Sequence, residues 1–169
     1  HEPLSRVASL INADSIVKAG RLLARALEGD FGIAKPRIAV AGLNPHAGES
    51  GHLGTEEETE IIPAIAKLTN EGVDARGPFA SDTLFHENAR KSYDAALCMY
   101  HDQALIPLKT LNFHEGVNIT LGLPFVRTSP DHGTALDIAA DGQANARSLC
   151  AALRTAGEIA DHRRNEAGP

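Results

Sequence analysis

Leu4, Val7, Ala8, Leu10 and Ile11 recur at helical spacing, and Ile16, Val17, Leu22, Leu23, Ala26 and Leu27 repeat the stripe. Helix is therefore predicted across residues 4 to 29, with Asn12 capping its second part and Gly29 ending it. Ile38 to Leu43 is a short apolar run, as a buried strand requires, and it empties into a glycine-rich loop through Gly54. Thr55 with Glu58 reads as a capping box that opens a helix through Ile61, Ile62, Ile65, Ala66 and Leu68 to Gly72. Val73 to Pro78 is the next strand, and Ser81-Asp82-Thr83 caps a short helix reaching about Ser92.

Ala95 to Met99 reads as strand and His101 to Leu111 as helix, with Pro107 near its first turn or kinking it. Gly116 to Leu121 and Phe125 to Thr128 are extended, and Thr134 to Ala140 is a short helix. Arg147 to about Arg164 is a long helix with Leu149, Leu153, Ala156 and Ile159 inward, and the residues beyond fray. Strands alternating with helices make this an α/β chain, its parallel or mixed sheet flanked by helices.

Bulk properties narrow the picture. At 169 residues, 43% of them hydrophobic, the chain suits one soluble domain with a sizeable core. A formal charge of -6 argues against nucleic-acid or anionic-membrane surfaces, although a small phosphate site needs only a few focused donors. No apolar run approaches the roughly 20 residues of a membrane helix. Cys98 and Cys150 sit in apolar settings, as reduced, buried thiols of a cytoplasmic protein do. The first residue is His1, with no Met and no signal peptide ahead of it, so the chain reads as a processed or truncated piece.

The ionisable residues concentrate between Cys98 and His132, where apolar runs end abruptly in His, Asp, Lys, Asn and Arg. A buried strand delivering chemistry to the crevice at its carboxyl end has this signature. His1, His46 and His101 stand at comparable positions, with Asp82 and Asp102 nearby, and suit a divalent ion (Zn, Co, Mn or Mg). No HxxxH or CxxC spacing reinforces that reading. Lys109, Asn118 and Arg127 suit a phosphate or carboxylate, or else pairing of the two cations with acids such as Glu115 and Asp131. The stretch from Asp131 through His132, Gly133 and Thr134 to Asn145 fits the adenosine half of a nucleotide, or equally a capped helix.

Several of these segments together carry a family likeness. Asn44-Pro45-His46-Ala47-Gly48-Glu49, Asp82-Thr83-Leu84-Phe85, Met99-Tyr100-His101-Asp102-Gln103, Gly116 to Phe125, Arg127-Thr128-Ser129 and Asp131-His132-Gly133-Thr134 closely resemble the 4-hydroxythreonine-4-phosphate dehydrogenases, the PdxA family. The likeness runs over nearly the whole chain, in order. It implies a fold similar to the isocitrate and isopropylmalate dehydrogenases, two α/β domains with the active site between them, and a homodimer with shared sites. It implies oxidation of 4-phosphooxy-threonine by NAD or NADP with a divalent metal, then decarboxylation to 3-amino-2-oxopropyl phosphate for pyridoxal phosphate synthesis. A relative acting on another alcohol, such as a cis-dihydrodiol carboxylate, and a non-catalytic metal-binding dimerisation fragment are the competing readings.

By motif, His1, His46 and His101 match the family's metal histidines, and Lys109, Asn118 and Arg127 its substrate-binding residues. Asp82 and Asp102 resemble acids beside the metal, where Asp102 or Lys109 would handle a proton. His132, Gly133, Thr134 and Asn145 fall in the adenosine-binding segment, which departs from the superfamily pattern at Leu136, usually Pro, and Ala140, commonly Gly. Family members are longer. The resemblance therefore implies a carboxyl-terminal half over 1–169, inactive without the amino-terminal half.

Overall fold

Four consecutive residues of one strand, Ile38 to Ala41, are buried, and the molecule is layered around them. The computed structural model describes residues 1–131, 133 and 145–166. Strand β1 (Arg37–Ala41) lies between β2 (Asp74–Phe79) and β3 (Ala95–Leu97), and both pairings are parallel. A central parallel strand is covered on both faces, which is why β1 has no polar alternation after Arg37.

Ile38 and Val40 point into a core formed with α2 (Ala13–Gly29) and α3 (Ile62–Asn70), among Val17, Leu27, Ile61 and Leu68. Gly20 permits the close approach of those helices: a Cβ there would lie 2.6 Å from the Leu68 side chain. Ala39 and Ala41 face the other way, onto Leu84 of α4 (Ser81–Leu84), Phe85 and Tyr93. The Asn12 cap forms as predicted, its side chain accepting from the Ser15 N–H at 2.9 Å.

A second, two-stranded sheet pairs β4 (Val117–Ile119) with β5 (Thr128–Pro130) in antiparallel register, Asn118 opposite Ser129. It packs on α7 (Arg147–Glu166), where the Thr128 hydroxyl donates to the Ala152 carbonyl at 2.9 Å.

Several expectations are corrected. On α1 (Leu4–Leu10) Val7 is buried, whereas Leu4 and Leu10 are exposed. The capping box does not form: Glu56 rather than Glu58 accepts the Thr55 N–H, and a π-helical turn over Glu57–Ile61 precedes α3. Glu57 and Ile61, four residues apart and so on one face of that turn, are both buried. The helix expected to reach Ser92 is two short ones, α4 and α5 (Glu87–Arg90), because His86 is extended and caps the second by accepting from the Ala89 N–H. Residues 125–127 precede β5 rather than belonging to it. Pro107 is the seventh residue of α6 (His101–Asn112), beyond its first turn.

On α7 the inward residues are Ser148, Ala152 and Ile159; Leu149 and Leu153 face outward, Leu153 at 66% exposure. Hydrophobicity alone misassigned that face because small residues, not leucines, let α7 approach the hairpin. Helix α7 also runs to Glu166 without fraying at Arg164. Cys150 is exposed rather than buried, while burial pushes the Cys98 thiol up to about 11. The predicted helix 134–140, with His132 and Thr134, lies outside the described residues. Among the described residues no helix is long and apolar enough to cross a membrane.

Candidate active site

Parallel strands place their carboxyl ends along one edge, and that edge collects the predicted chemistry. His46 follows β1, Asp82 follows β2, and His101 and Asp102 follow β3. Any crevice there is lined by side chains distant in sequence, as open α/β sheets characteristically provide.

The loop after β1 is the least ordinary backbone in the molecule. His46, Ala47, Glu49 and Ser50 all adopt positive φ, between 43° and 56°, interleaved with Gly48 and Gly51 at 80° and 84°. Left-handed backbone costs each non-glycine residue about 1 kcal/mol or more, so something must hold the turn. Glu57 does. Its carboxylate, in a residue only 2% exposed, accepts the Asn44 backbone N–H at 2.7 Å and an Asn44 side-chain N–H at 2.8 Å. Glu56 accepts from the same side-chain amide at 2.8 Å. Donation from its own backbone N–H, and then from Asn44, holds the Glu56 carboxyl below the usual carboxylate range. The sequence pattern singles out Glu58, as the capping-box acid, and not Glu57. The signal was present in the loop's glycines: a Cβ at Gly48 would come 2.7 Å from a Glu57 oxygen.

After β3, the rings of His1 and His101 lie 4.6 Å apart between centroids. His101 Nδ1 and Asp102 Oδ1 are 2.7 Å apart. An ionised carboxylate only accepts, so Nδ1–H donates to it, which points the other ring nitrogen, Nε2, away from that carboxylate. A carboxylate behind an imidazole is a common way of orienting a metal ligand. In donor chemistry, then, His1 and His101 fit a divalent ion. His46 is presented from the adjacent strand end, but among the described residues no group of three His, Cys, Asp or Glu is assembled around one point.

Asp82 and Asp102 line one cleft of about 370 Å³, with Tyr100, Ile106 and Pro107 as its apolar wall. The predicted cations divide. Lys109 is ion-paired with Asp131 at 2.8 Å and also donates to the Asp131 carbonyl at 3.0 Å, so the acid it pairs with is Asp131 and not Glu115. Among the described residues no acid is ion-paired with Arg127; its guanidinium donates to the Thr120 hydroxyl at 2.8 Å. Directly opposed residues of an antiparallel pair share a face, so Asn118, Thr120, Arg127 and Ser129 form one side of the hairpin. Thr128, on the other side, binds α7, which turns the Asn118–Arg127 face away from that helix. Asn145 sits just before α7, its carbonyl oxygen accepting from the Arg147 backbone N–H at 3.0 Å. Gly133 is among the described residues, whereas His132 and Thr134 lie outside them.

With this geometry in place, the comparisons with known proteins become specific. The family model of the pyridoxal phosphate biosynthetic protein PdxA matches residues 1–156. The chain belongs to the PdxA family. A relative from Bradyrhizobium diazoefficiens, named 4-hydroxythreonine-4-phosphate dehydrogenase, is 60% identical over 160 residues, covering 95% of this chain and 46% of the relative. The crystal structure of the 4-hydroxythreonine-4-phosphate dehydrogenase of Klebsiella pneumoniae superposes with a TM-score of 0.85 at 46% identity, over 95% of this chain and 48% of that one. A terephthalate 1,2-cis-dihydrodiol dehydrogenase from Burkholderia xenovorans matches with a TM-score of 0.73 at 31% identity, over 93% of this chain and 50% of that one. This PdxA chain therefore spans about half the length of the curated relatives it matches.

Proposed function

We propose that residues 1–169 form the carboxyl-terminal half of a metal-dependent, NAD- or NADP-linked dehydrogenase. Its substrate is 4-phosphooxy-threonine, oxidised to 2-amino-3-oxo-4-phosphooxybutanoate. Decarboxylation then gives 3-amino-2-oxopropyl phosphate for pyridoxal 5'-phosphate synthesis. The observation that carries the reading is the 60% identity to a relative of that name over 95% of the chain. The enzyme works as a cytoplasmic homodimer with shared sites, and residues 1–169, about half the length of the relatives, turn over little or not at all by themselves.

His1, His46 and His101 would hold the divalent ion (Zn, Mg or Co), His101 braced by Asp102. When bound, the ion supplies Lewis-acid polarisation of the substrate's oxygens and the nicotinamide accepts the hydride. The chain's own residues position and protonate. Arg127 and Asn118 grip the phosphate from one face of the hairpin, Arg127 by a bidentate contact. Asp102, which shares a cleft with Asp82, would take the one hydroxyl proton as hydride leaves the carbon that bears that hydroxyl. Lys109, held by Asp131, adds positive charge where the substrate's anionic groups enter and is the alternative proton carrier. Gly133 and Asn145, with His132 and Thr134, would serve the adenosine half of the cofactor.

The match to a cis-dihydrodiol dehydrogenase favours one second reading, a substrate without phosphate. A double-mutant cycle in the complete protein separates the two. Arg127→Ala should raise KM for the phosphorylated substrate by about 10- to 100-fold, the loss of a charge-assisted bond of roughly 1.5–3 kcal/mol. Against the dephosphorylated alcohol the same substitution should change little. Equal effects on both substrates would contradict a phosphate grip at Arg127.

A further inference from the structure

Hydrogen bonds of the parallel ladder stop before the site begins. The β1–β3 register ends at Val40 opposite Leu97, and on the β2 side the last link is Gly42 N–H to the Phe79 carbonyl. His46, Asp82 and His101 all lie past those ends. One side chain bridges the gap. Gln103, in the first turn of α6 and 7% exposed, donates from Nε2 to the Gly42 carbonyl at 2.7 Å and to Ser81 Oγ at 2.8 Å. Its Oε1 accepts the Met99 N–H at 2.6 Å. The Ser81 hydroxyl closes the circuit by donating to the same Gly42 carbonyl at 3.1 Å.

A single primary amide thus touches the continuation of all three strands. Both amide protons and its oxygen are used, and none faces a partner that a similar group would serve as well. A carboxylate there would oppose the Gly42 carbonyl; a shorter amide would not span the three. An isolated buried glutamine costs stability, so this one is retained at a cost unless its contacts are complete, as they are.

We propose that Gln103 is a positioning residue: by tying Gly42, Ser81 and Met99 together it sets the separation of His46, Asp82 and His101. The inference rests on the roles given to those residues above. It adds that their spacing is fixed by an amide whose polar atoms all bond to the chain itself. Misplacement of reacting groups by about 1 Å costs on the order of 100-fold in rate, which sets the size of effect to look for.

The test uses Gln103→Glu, which keeps size and the acceptor for Met99 but loses the two donors, and Gln103→Met, which loses all three contacts. Ser81→Ala, which removes one, guards against a variant that does not fold. In the complete protein, two measurements are made: imidazole nitrogen resonances of His46 and His101, and kcat and KM with the phosphorylated substrate. Gln103→Glu should shift both imidazoles together and lower kcat by about 100-fold, with KM within about two-fold because the Asn118–Arg127 grip sits on the other sheet. Ser81→Ala should do the same in smaller measure. A lower unfolding midpoint with both imidazoles and kcat unchanged would reduce Gln103 to core packing and overturn the proposal. The resonances need no turnover: inactive wild-type protein whose imidazoles still move together would sink the dehydrogenase reading and leave the positioning role standing.

Discussion

Gly48 shows how much of this site is decided by single atoms. Its φ of 80° is in the left-handed region, and the space where a Cβ would go is taken by Glu57 Oε2 at 2.7 Å, with the Gly54 carbonyl at 3.3 Å. Gly72 has a similar φ of 88° but open space around it. Gly48→Ala should therefore destabilise by about 2–3 kcal/mol and Gly72→Ala by about 1 kcal/mol, the second being the backbone term alone. Urea unfolding at constant slope measures both, and equal losses would mean that Glu57 does not press on the loop. The lesson for sequence reading follows from Glu57 itself. His46, Asp82, His101 and Arg127 stand out in the sequence because their residue types announce chemistry and the family motifs surround them. Glu57 and Gln103 do not, since their contacts depend on burial, and nothing in a run such as Glu56-Glu57-Glu58 tells which acid turns inward.

At the scale of elements, helices and strands were predicted wherever apolar periodicity was strong, as in α2 and β1. The failures share a cause. Where packing is done by small or polar residues, as by Ser148 and Ala152 on α7, hydrophobic spacing points to the wrong face. The start of β1 illustrates a different kind of support. Asp94, just before β3, accepts from the Arg37 backbone N–H at 2.8 Å and from its guanidinium at 2.9 and 3.1 Å, so one carboxylate staples two parallel strands at their amino ends. The Arg37 guanidinium and then its backbone N–H hold the Asp94 carboxyl below the usual carboxylate range. A carboxyl depressed in the fold stabilises above its unfolded value of about 4 and loses that contribution as pH falls through the folded value. Asp94→Asn should thus be less stable than the parent by a constant margin above about pH 5, and the margin should close below about pH 4. Denaturant midpoints from pH 7 to 3 follow the difference, and a margin that widens in acid would reverse the assignment.

For the whole molecule, the decisive feature is that the candidate residues fall on two separate sheets. The parallel sheet presents His46, Asp82 and His101, and the hairpin presents Asn118 and Arg127. They are joined at Asp30, buried at the end of α2, whose carboxylate takes two charge-assisted bonds from Arg163 of α7 at 2.5 and 2.9 Å. Arg163 also reaches the Leu123 carbonyl in the hairpin loop at 3.4 Å. That joint linked residues too distant in sequence for any pattern to pair. Its consequence is that the strand ends carrying His46 and His101 and the hairpin face carrying Arg127 are tied together, a layout that suits the small phosphorylated alcohol proposed as substrate. The most direct test is the initial rate of NADH or NADPH formation by the complete protein, with a divalent metal present, on 4-phosphooxy-threonine and on a cis-dihydrodiol carboxylate. Metal-dependent turnover of the phosphorylated amino acid, lost with chelator and well above that of the diol, is the expected result. Preferential turnover of the diol, or equal rates with and without the metal, would contradict it.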